Sequence, residues 1–311
     1  MKTYTNLFHH SPSPCVVALG CFDGVHLGHR AVIGEAVTVA KSKQLPSLVW
    51  TFEEPPKNFF SPASVPLITD PQEKRAQIRA LGVDTLVCAP FDPSVAALSP
   101  EEFFRVILCE KLKACHIVCG YNYSFGAKGA GNATLLRKLC EQNGIGISVI
   151  PPVSVRGNEI SSTQIRAAVE EGRTEDACAL LGRPYAIRTL VIDGQKLARR
   201  LGFPTVNQVF RRGILVPRKG VYATRVRFCG KQKYGITNVG TRPTVNGNLL
   251  CAETHIFDFN GNLYGKTVTV EFLCFLRPET KFASVEALSK QVHRDIEDTK
   301  AYLAKELGKS F

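Results

Sequence analysis

The stretch Cys15 to Gly34, CVVALGCFDGVHLGHRAVIG, contains a short apolar run, a glycine-containing turn and the start of a helix. Cys15 to Leu19 is rich in valine and predicts a buried strand, and apolar residues recur at helical spacing from Ala31 onward. His26 and His29 lie three residues apart where the turn becomes helix, so their side chains can share one face. Free N–H groups at a helix start, with imidazoles beside them, suit a phosphate that gains negative charge during reaction. The stretch therefore predicts a phosphate-binding strand–turn–helix unit.

The histidine pair has a structural and a functional interpretation. In the structural one, one imidazole caps or packs and the other is merely exposed, which is the better interpretation of a lone histidine. The His-x-x-His spacing on a strand–turn–helix favours the functional one. The segment from Gly20 to His29, GCFDGVHLGH, also resembles the signature of the bacterial FAD synthetases of the HxGH nucleotidyltransferase superfamily. The resemblance implies a catalytic role for His26 and His29. It implies nucleotide or phosphate contacts for four residues of the turn, Gly20, Phe22, Asp23 and Gly24.

Length and composition indicate about two globular domains. Of the 311 residues, 44% are hydrophobic and 21% are charged, which is ordinary for a globular protein. The formal net charge of +12 favours anionic partners. Solvated basic faces come first as its explanation, phosphorylated small molecules second and nucleic acid third, because the sequence contains no nucleic-acid-binding module.

Targeting signals and metal-binding patterns are not apparent in the sequence. No apolar run is long enough to cross a bilayer, and the N-terminus lacks the apolar core of a secretory signal, so we expect a cytoplasmic protein. The eleven cysteines include no Cys-x-x-Cys pair and mostly lie in apolar runs. They predict small buried thiols in a reducing compartment, with neither disulfides nor a zinc site.

Strands and helices alternate over the first half of the chain. Apolar runs predict strands at Ser47 to Phe52, Thr85 to Ala89, Cys115 to Cys119 and Ile145 to Ile150. Helix starts are indicated by Asp70-Pro71 and by Ser99-Pro100-Glu101-Glu102. This alternation predicts a parallel, doubly wound sheet, whose ligands bind past the carboxyl ends of the strands. The His26 turn, the segment after Phe52 and the glycine-rich loop after Gly120 all follow strand ends.

The segment Ile160 to Arg166, ISSTQIR, opens a further helix. Its hydroxyls suit an N-cap, which is the structural interpretation, and with Arg166 one turn along they can also hold phosphate. The segment resembles the Ser-Ser-Thr-x-x-Arg motif of the FAD synthetases, which implies that Ser162, Thr163 and Arg166 bind the ATP phosphates. The strand–helix alternation ends near Pro184, so we place a domain boundary there, with domains 1–183 and 184–311.

Strand follows strand without intervening helices in the second half, which predicts a small closed antiparallel β-barrel. One helix ends the chain, opening at Ser284. The segment Asn260 to Thr267, NGNLYGKT, looks like a phosphate-binding Walker A loop. Its first position is Asn, however, and a strand follows where a helix is required, so we interpret it as a hairpin turn.

Two stretches of the second half contain candidate site residues. Leu201 to Asn207, LGFPTVN, offers short oxygen-bearing side chains that can complete a magnesium shell beside substrate phosphates. Glu253 lies between apolar residues, where a carboxylate can act as a general base for a primary hydroxyl or equally form a cross-strand ion pair. LGFPTVN, NVGTRPT and the segment from Glu253 onward resemble riboflavin kinases. That likeness implies that Gly202, Thr205 and Asn207 bind ATP, that Thr205 and Asn207 hold its Mg²⁺, and that Glu253 deprotonates the riboflavin 5′-hydroxyl.

Three positions depart from the family pattern. Pro55 stands in a segment without the usual Pro-His pair, Ser124 is one of two residues that remove a positive charge from the glycine loop, and Ala198 replaces a glycine. Asn122, in that loop, is a variant that still donates and accepts hydrogen bonds, and we expect it to bind nucleotide.

Together these features identify the sequence as a member of the bacterial bifunctional riboflavin kinase/FAD synthetase family. The resemblance implies an α/β Rossmann-like nucleotidyltransferase domain and an antiparallel β-barrel kinase domain with a C-terminal helix. It implies the substrates ATP, riboflavin, FMN and FAD, with Mg²⁺ carried by ATP and without nucleic-acid or membrane partners. The alternatives are a chain that retains one of the two activities, and a basic nucleotide- or RNA-binding protein without turnover.

Overall fold

The computed structural model describes residues 1–5, 13–61, 64–193, 202–244 and 247–308. The chain divides into two compact units, Met1–Ser162 and Thr163–Phe311. Within the described ranges, no helix combines the length and the apolar character that crossing a membrane requires. Ala198 lies outside these ranges, so its effect stays a prediction.

The first unit is built on a parallel sheet with helices on both faces. Its strands are β1 Lys2–Tyr4, β2 Cys15–Leu19, β3 Ser47–Phe52, β4 Thr85–Ala89, β5 Ala114–Gly120, β6 Ser124–Phe125, β7 Gly131–Asn132, β8 Gly146–Ile150, β9 Ser154–Val155 and β10 Asn158–Glu159. Its helices are α1 Leu27–Lys43, α2 Pro56–Phe60, α3 Pro71–Ala80, α4 Pro93–Ala96, α5 Pro100–Glu102, which continues as a π-helix over Phe103–Lys111, and α6 Ala133–Gln142. The sheet order is β1-β4-β3-β2-β5-β8, and every pair is parallel. The predicted doubly wound sheet is confirmed.

Side chains of successive residues in β2 point into two separate cores. Val17 and Leu19 pack with the π-helix and α6, whereas Val16 and Ala18 pack with α1 and α3. All five residues of β2 are buried. A strand covered on both faces must be apolar throughout, which explains the valine-rich run.

The predicted helix starts have the expected caps. The Asp70 carboxylate accepts hydrogen bonds from the backbone N–H groups of Gln72 and Glu73 at 2.8 and 3.1 Å. Ser99 and Glu102 form a reciprocal capping box, each side chain accepting from the backbone of the other. Such caps satisfy N–H groups that have no partner within the helix.

The second unit contains a closed six-stranded barrel. The helices from the unit boundary onward are α7 Ser162–Glu170, α8 Thr174–Leu181 and α9 Val285–Leu307. The strands are β11 Tyr185–Ile192, β12 Thr205–Val209, β13 Gly220–Phe228, β14 Lys231–Thr244, β15 Gly247–Ile256 and β16 Thr267–Pro278. They close in the order β11-β12-β15-β14-β13-β16, and every pair is antiparallel. The predicted antiparallel barrel and C-terminal helix are confirmed.

The interpretation of Asn260 to Thr267 as a hairpin turn is wrong. The loop joins β15 to β16, and these strands are not neighbours, because β15 pairs with β12 and β14 while β16 pairs with β13 and β11. The segment is therefore a crossover connection that runs from one side of the barrel to the other.

A buried ion pair fastens α9 to the barrel. The Arg277 guanidinium donates to both carboxylate oxygens of Asp295 at 2.8 Å, and the Asp295 side chain is only 2% exposed. Asp295→Ala would leave the guanidinium without its charged partner, so we expect the free energy of unfolding to fall by about 3–5 kcal/mol. Urea denaturation followed by circular dichroism measures this loss.

The exposed Asp298 on the same helix provides the control for that measurement. Asp298→Ala should change the free energy of unfolding by less than about 0.5 kcal/mol. A similarly small change in Asp295→Ala would show that the ion pair does not stabilise the attachment of α9.

Candidate active sites

The turn between β2 and α1 is held in a strained, buried conformation. Phe22 and Val25 have left-handed φ angles of 50° and 40°, and both side chains are buried. A Cβ atom at Gly20 would lie 2.7 Å from the Phe22 ring, so only glycine fits there. Gly24 also has a positive φ, of 83°, and its Cβ would press on Ile68. Strain of this kind persists only where the surrounding structure enforces it, and it is concentrated at functional sites.

Asp23 attaches this turn to a neighbouring segment. Its buried carboxylate accepts hydrogen bonds from the backbone N–H groups of Ile68, at 3.0 and 3.1 Å, and of Thr69, at 3.4 Å. In return, the Thr69 hydroxyl accepts from Gly24 N at 3.3 Å. These contacts give Asp23 a role in holding the turn, and its contact with nucleotide stays a prediction.

The two signature histidines lie against each other at the start of α1. Their ring centroids are 3.5 Å apart and their planes differ by 19°. His26 is the N-cap residue, and its Nδ1 accepts a hydrogen bond from the backbone N–H of His29 at 3.2 Å. The Nδ1 atom of His26 is therefore used as an acceptor, and Nε2 is the other polar atom of its ring. His26 caps the helix, as the structural interpretation has it, and the catalytic role of the pair stays a prediction.

His29 lies in an environment that keeps its imidazole neutral. Its ring meets the Phe22 ring edge-on at 5.3 Å, and its buried Nδ1 has no hydrogen-bond partner among the described residues. Burial lowers the pKa of His29 well below the usual 6.5, and the neighbouring His26 and Lys74 lower it further. A neutral imidazole donates one hydrogen bond without adding a full charge to the site.

Ser162, the first residue of α7, hydrogen bonds to the same turn. Its hydroxyl donates to the backbone carbonyl of Asp23 at 3.2 Å. The structure thus brings Ser162, one residue of the second predicted motif, to the first motif. Thr163 and Arg166 follow on α7, and their contact with nucleotide stays a prediction.

Two further loops follow strand ends at the carboxyl edge of the sheet. Asn122 is exposed just beyond β5, which pairs directly with β2, so it lies at the strand end next to the histidine turn. Ser124 is exposed on β6. Pro55 is the N-cap of α2, after the end of β3. The short helix α2 was not predicted from the sequence.

Lys74 is a candidate site residue that the sequence did not reveal. Charges at Glu73, Lys74 and Arg75 are ordinary at the start of a helix, yet Lys74 is only 4% exposed. Its ammonium donates to the carbonyl of Cys21 and to that of Phe52, the latter at 2.7 Å. It therefore lies between the ends of β2 and β3. Only the assembled sheet brings these carbonyls together, so no local pattern could have shown it.

The second group of candidate residues lies on one face of β12 and β15. Asn207 pairs in register with Glu253, and Thr205 with His255. Residues directly opposite in antiparallel strands point to the same side of the sheet, as do residues two apart in one strand. The alternate residues Gln208 and Thr254 are fully buried and hydrogen bond within the barrel. Thr205, Asn207 and Glu253 therefore share the outer face.

Burial affects both Asn207 and Glu253. The Asn207 Oδ1 atom is buried and has no hydrogen-bond partner among the described residues. Burial raises the pKa of Glu253, while the positive charge of Arg242 opposes the shift. No ion pair within 4 Å is formed by Glu253 in the described part of the chain, and its role as a general base stays a prediction. A carboxylate with a raised pKa is a stronger base than an ordinary one.

A cavity of about 480 Å³ opens beside Thr205. Pro204 and Val206 line it on one side, and the crossover loop from Phe259 to Tyr264 lines it on the other. From the sequence alone, this loop was interpreted as a hairpin turn. The Pro204 carbonyl lies 3.0 Å from Nδ1 of His255, which holds the strand start in place. Gly202, which precedes the start of β12, has a φ of 86°. Its contact with ATP stays a prediction.

Comparison with known proteins assigns a family to each half of the chain. Residues 8–164 match the family model of FAD synthetase, and residues 181–303 match that of riboflavin kinase. The bifunctional riboflavin kinase/FMN adenylyltransferase of Listeria monocytogenes is 38% identical over 293 residues, covering 93% of each chain. The protein of the same description from Escherichia coli K12 is 36% identical over 300 residues, covering 95% of this chain and 96% of that one.

A solved structure has the same overall fold. It is described as a macrolide-efflux protein from Streptococcus pneumoniae, is 34% identical and superposes with a TM-score of 0.87. The match covers 96% of this chain and 97% of that one. Together with the two family models and the relatives that span nearly the whole length, it accounts for both halves of the chain. The chain therefore belongs to the bifunctional riboflavin kinase/FMN adenylyltransferase family and is a transferase with both activities.

Proposed function

We propose that the histidine turn carries the adenylylation of FMN. The observation that supports this most directly is the stacked pair His26 and His29 at the N-terminus of α1, beside Ser162. The nucleotide is held by four further residues, Asn122, Ser162, Thr163 and Arg166. Residues 1–183 form this catalytic domain, and residues 184–311 form the kinase domain.

In the adenylylation reaction, a phosphate oxygen of FMN attacks the α-phosphorus of ATP. A new P–O bond forms, the bond from the α-phosphorus to the bridging oxygen breaks, and pyrophosphate leaves. Negative charge grows on the α-phosphate oxygens and on the leaving group. Free N–H groups of the α1 start, together with imidazole N–H donors of His26 and His29, lower the energy of that charge.

Riboflavin phosphorylation belongs to the outer face of β12 and β15. Glu253 takes the proton of the riboflavin 5′-hydroxyl, whose oxygen attacks the γ-phosphorus of ATP, and ADP leaves. The raised pKa of Glu253 supports this role, because proton transfer is most effective when the base has a pKa closer to the working pH. Thr205 borders the cavity that would receive ATP.

The residues of this face fit a magnesium ion. Mg²⁺ prefers oxygen ligands, and two lie on one face: the hydroxyl of Thr205 and the buried Oδ1 of Asn207, which has no hydrogen-bond partner in the described ranges. The ion, carried by ATP, would neutralise phosphate charge. Both reactions consume ATP, so we propose the cytoplasm as the compartment and flavins and nucleotides as the partners.

Asn207→Leu should raise the Mg²⁺ concentration needed for half-maximal FMN formation by about tenfold or more, because it removes the amide oxygen while keeping the branched shape of the side chain. Titrating Mg²⁺ into the riboflavin assay measures this. FAD formation from supplied FMN, measured in the same preparation, should respond to Mg²⁺ as in the wild type. An unchanged Mg²⁺ dependence of FMN formation would contradict the assignment of Asn207.

The two activities are best tested with separate substrates. Purified protein is incubated with ATP, Mg²⁺ and either riboflavin or FMN, and the flavins are separated by chromatography. We expect FMN and then FAD from riboflavin, and FAD alone from FMN. A preparation that forms neither product would contradict the proposal, and one that forms a single product would support the alternative of one retained activity.

A further inference from the structure

Lys74 is a buried cation without a countercharge. It is only 4% exposed, and no carboxylate lies within 4 Å of its ammonium among the described residues. Glu53 lies nearby but forms its ion pair with Arg75, at 2.6 Å. The Asp23 carboxylate is occupied by the backbone N–H groups of residues 68 and 69. The charge of Lys74 is therefore met by two carbonyl dipoles in place of an anion.

Such a residue is costly for the fold. Removing an ammonium from water costs several kcal/mol even after relaxation of the protein. Burial accordingly lowers the pKa of Lys74, although Cys88, Cys21, Asp23 and Glu53 act in the opposite direction. An apolar side chain of similar length would avoid the cost. A retained buried charge is thus better explained by the site beside it than by stability.

The site beside Lys74 is the histidine turn. Of the two carbonyls that it binds, Phe52 O lies at the end of β3 and Cys21 O belongs to the turn that follows β2. Its charge acts on His29, whose other close titratable neighbour is His26. The ammonium, the His29 ring and the free N–H groups of α1 are all positive or hydrogen-donating. These three features make one end of the sheet attractive to phosphate.

We propose that Lys74 is a positioning residue for FMN adenylylation, which ties the signature turn to the end of β3 and supplies a fixed positive charge close to His29. The inference rests on the assignment of His26 and His29 to that reaction. Lys74 acts on the reacting phosphates indirectly, through the turn and through His29. Its effect should therefore appear in the rate of the chemical step more than in the binding of FMN.

The test compares Lys74→Met, which keeps the length of the side chain and removes its charge, with Arg79→Met at an exposed position of the same helix. Lys74→Met should lower kcat for FAD formation by about 10- to 100-fold and change KM for FMN by less than about threefold. FMN formation from riboflavin by the same chain should be unchanged. Arg79→Met should leave both reactions at the wild-type rate. Unchanged FAD formation in Lys74→Met would overturn the inference.

A titration of the His29 ring distinguishes this role from a purely structural one. We expect NMR titration of the imidazole signals to give His29 a pKa below 6.5 in the wild type, and this pKa to rise in Lys74→Met because a neighbouring positive charge is gone. An unmoved His29 titration would overturn the electrostatic role. Because the wild-type titration needs no variant, it tests the environment of His29 even if Lys74→Met folds poorly.

The variant His29→Asn separates the two assignments. If His29→Asn leaves FAD formation intact, the proposed adenylylation site is wrong. If His29→Asn lowers FAD formation and Lys74→Met does not, the site stands and the inference about Lys74 fails.

Discussion

His29→Ala should lower the rate of FAD formation from FMN by about 100- to 1,000-fold, the usual cost of removing one preorganised donor from a site of developing charge. FMN formation from riboflavin should continue at the wild-type rate, because Glu253 and its neighbours lie on the barrel of the other unit. Chromatography of both reactions measures the two rates on one preparation. Loss of both products in the variant would contradict the assignment of the two reactions to separate sites.

His26→Asn offers a matched comparison. His26 caps α1 through Nδ1, and asparagine is among the best N-cap residues, so helix stability should be kept while the imidazole donor is lost. We expect FAD formation to fall without a lower free energy of unfolding. A variant that loses stability and activity together would indicate that His26 acts through the helix alone.

The pKa of His29 also predicts how stability depends on pH. Its folded-state pKa lies below the ordinary 6.5, so the unfolded chain binds the proton more readily than the folded one. The stabilising contribution of the neutral ring is present above about pH 6.5 and is lost as the pH falls. The wild type should therefore lose more stability than His29→Ala between pH 7 and pH 5, as measured by urea denaturation at each pH.

Glu253→Gln should lower FMN formation by about 100- to 10,000-fold, the usual contribution of a general base. FAD formation from supplied FMN should be unchanged. The variant keeps the size and hydrogen-bonding capacity of the side chain and removes its ability to accept the hydroxyl proton. Glu297→Gln, at an exposed position of α9, is the control and should form both products normally.

The same substitution should increase stability at neutral pH. Burial raises the pKa of Glu253 above the unfolded value of 4.5, so ionisation is easier in the unfolded chain. The penalty is absent below about pH 4.5 and appears as the pH rises through the folded-state pKa. Glu253→Gln should therefore have a higher free energy of unfolding than the wild type at pH 8 and an equal one near pH 4. A loss of stability at pH 8 would contradict a buried carboxylate held for catalysis.

Local sequence signals predicted most of the fold. The apolar runs of β2, β3 and β4 have the bounds that were predicted, because each is buried on both faces and bounded by turn residues. The strand β12 was not predicted, since Thr205 to Val209 carries polar residues on both of its faces. Gln208 is polar yet fully buried, because its side chain donates to two carbonyls inside the barrel.

The sites were less accessible to sequence reasoning than the strands. Motif spacing identified His26 and His29, whose proximity follows from the strand–turn–helix order. It also identified Asn207 and Glu253, which are neighbours through cross-strand register. Lys74 could not be found in this way, since its partners are backbone carbonyls at residues 21 and 52. The crossover loop that lines the cavity was missed because the order of strands in the barrel decides which connections are hairpins.

The pairing of Asn207 with Glu253 makes riboflavin phosphorylation sensitive to chain length. Side-chain direction alternates along β12, so inserting or deleting one residue between Thr205 and Asn207 would place these two side chains on opposite faces of the strand. The carboxylate would then face a strand that has lost one of its two oxygen ligands. Insertions and deletions in related sequences are therefore expected to be absent from this strand and to occur in the loops around it.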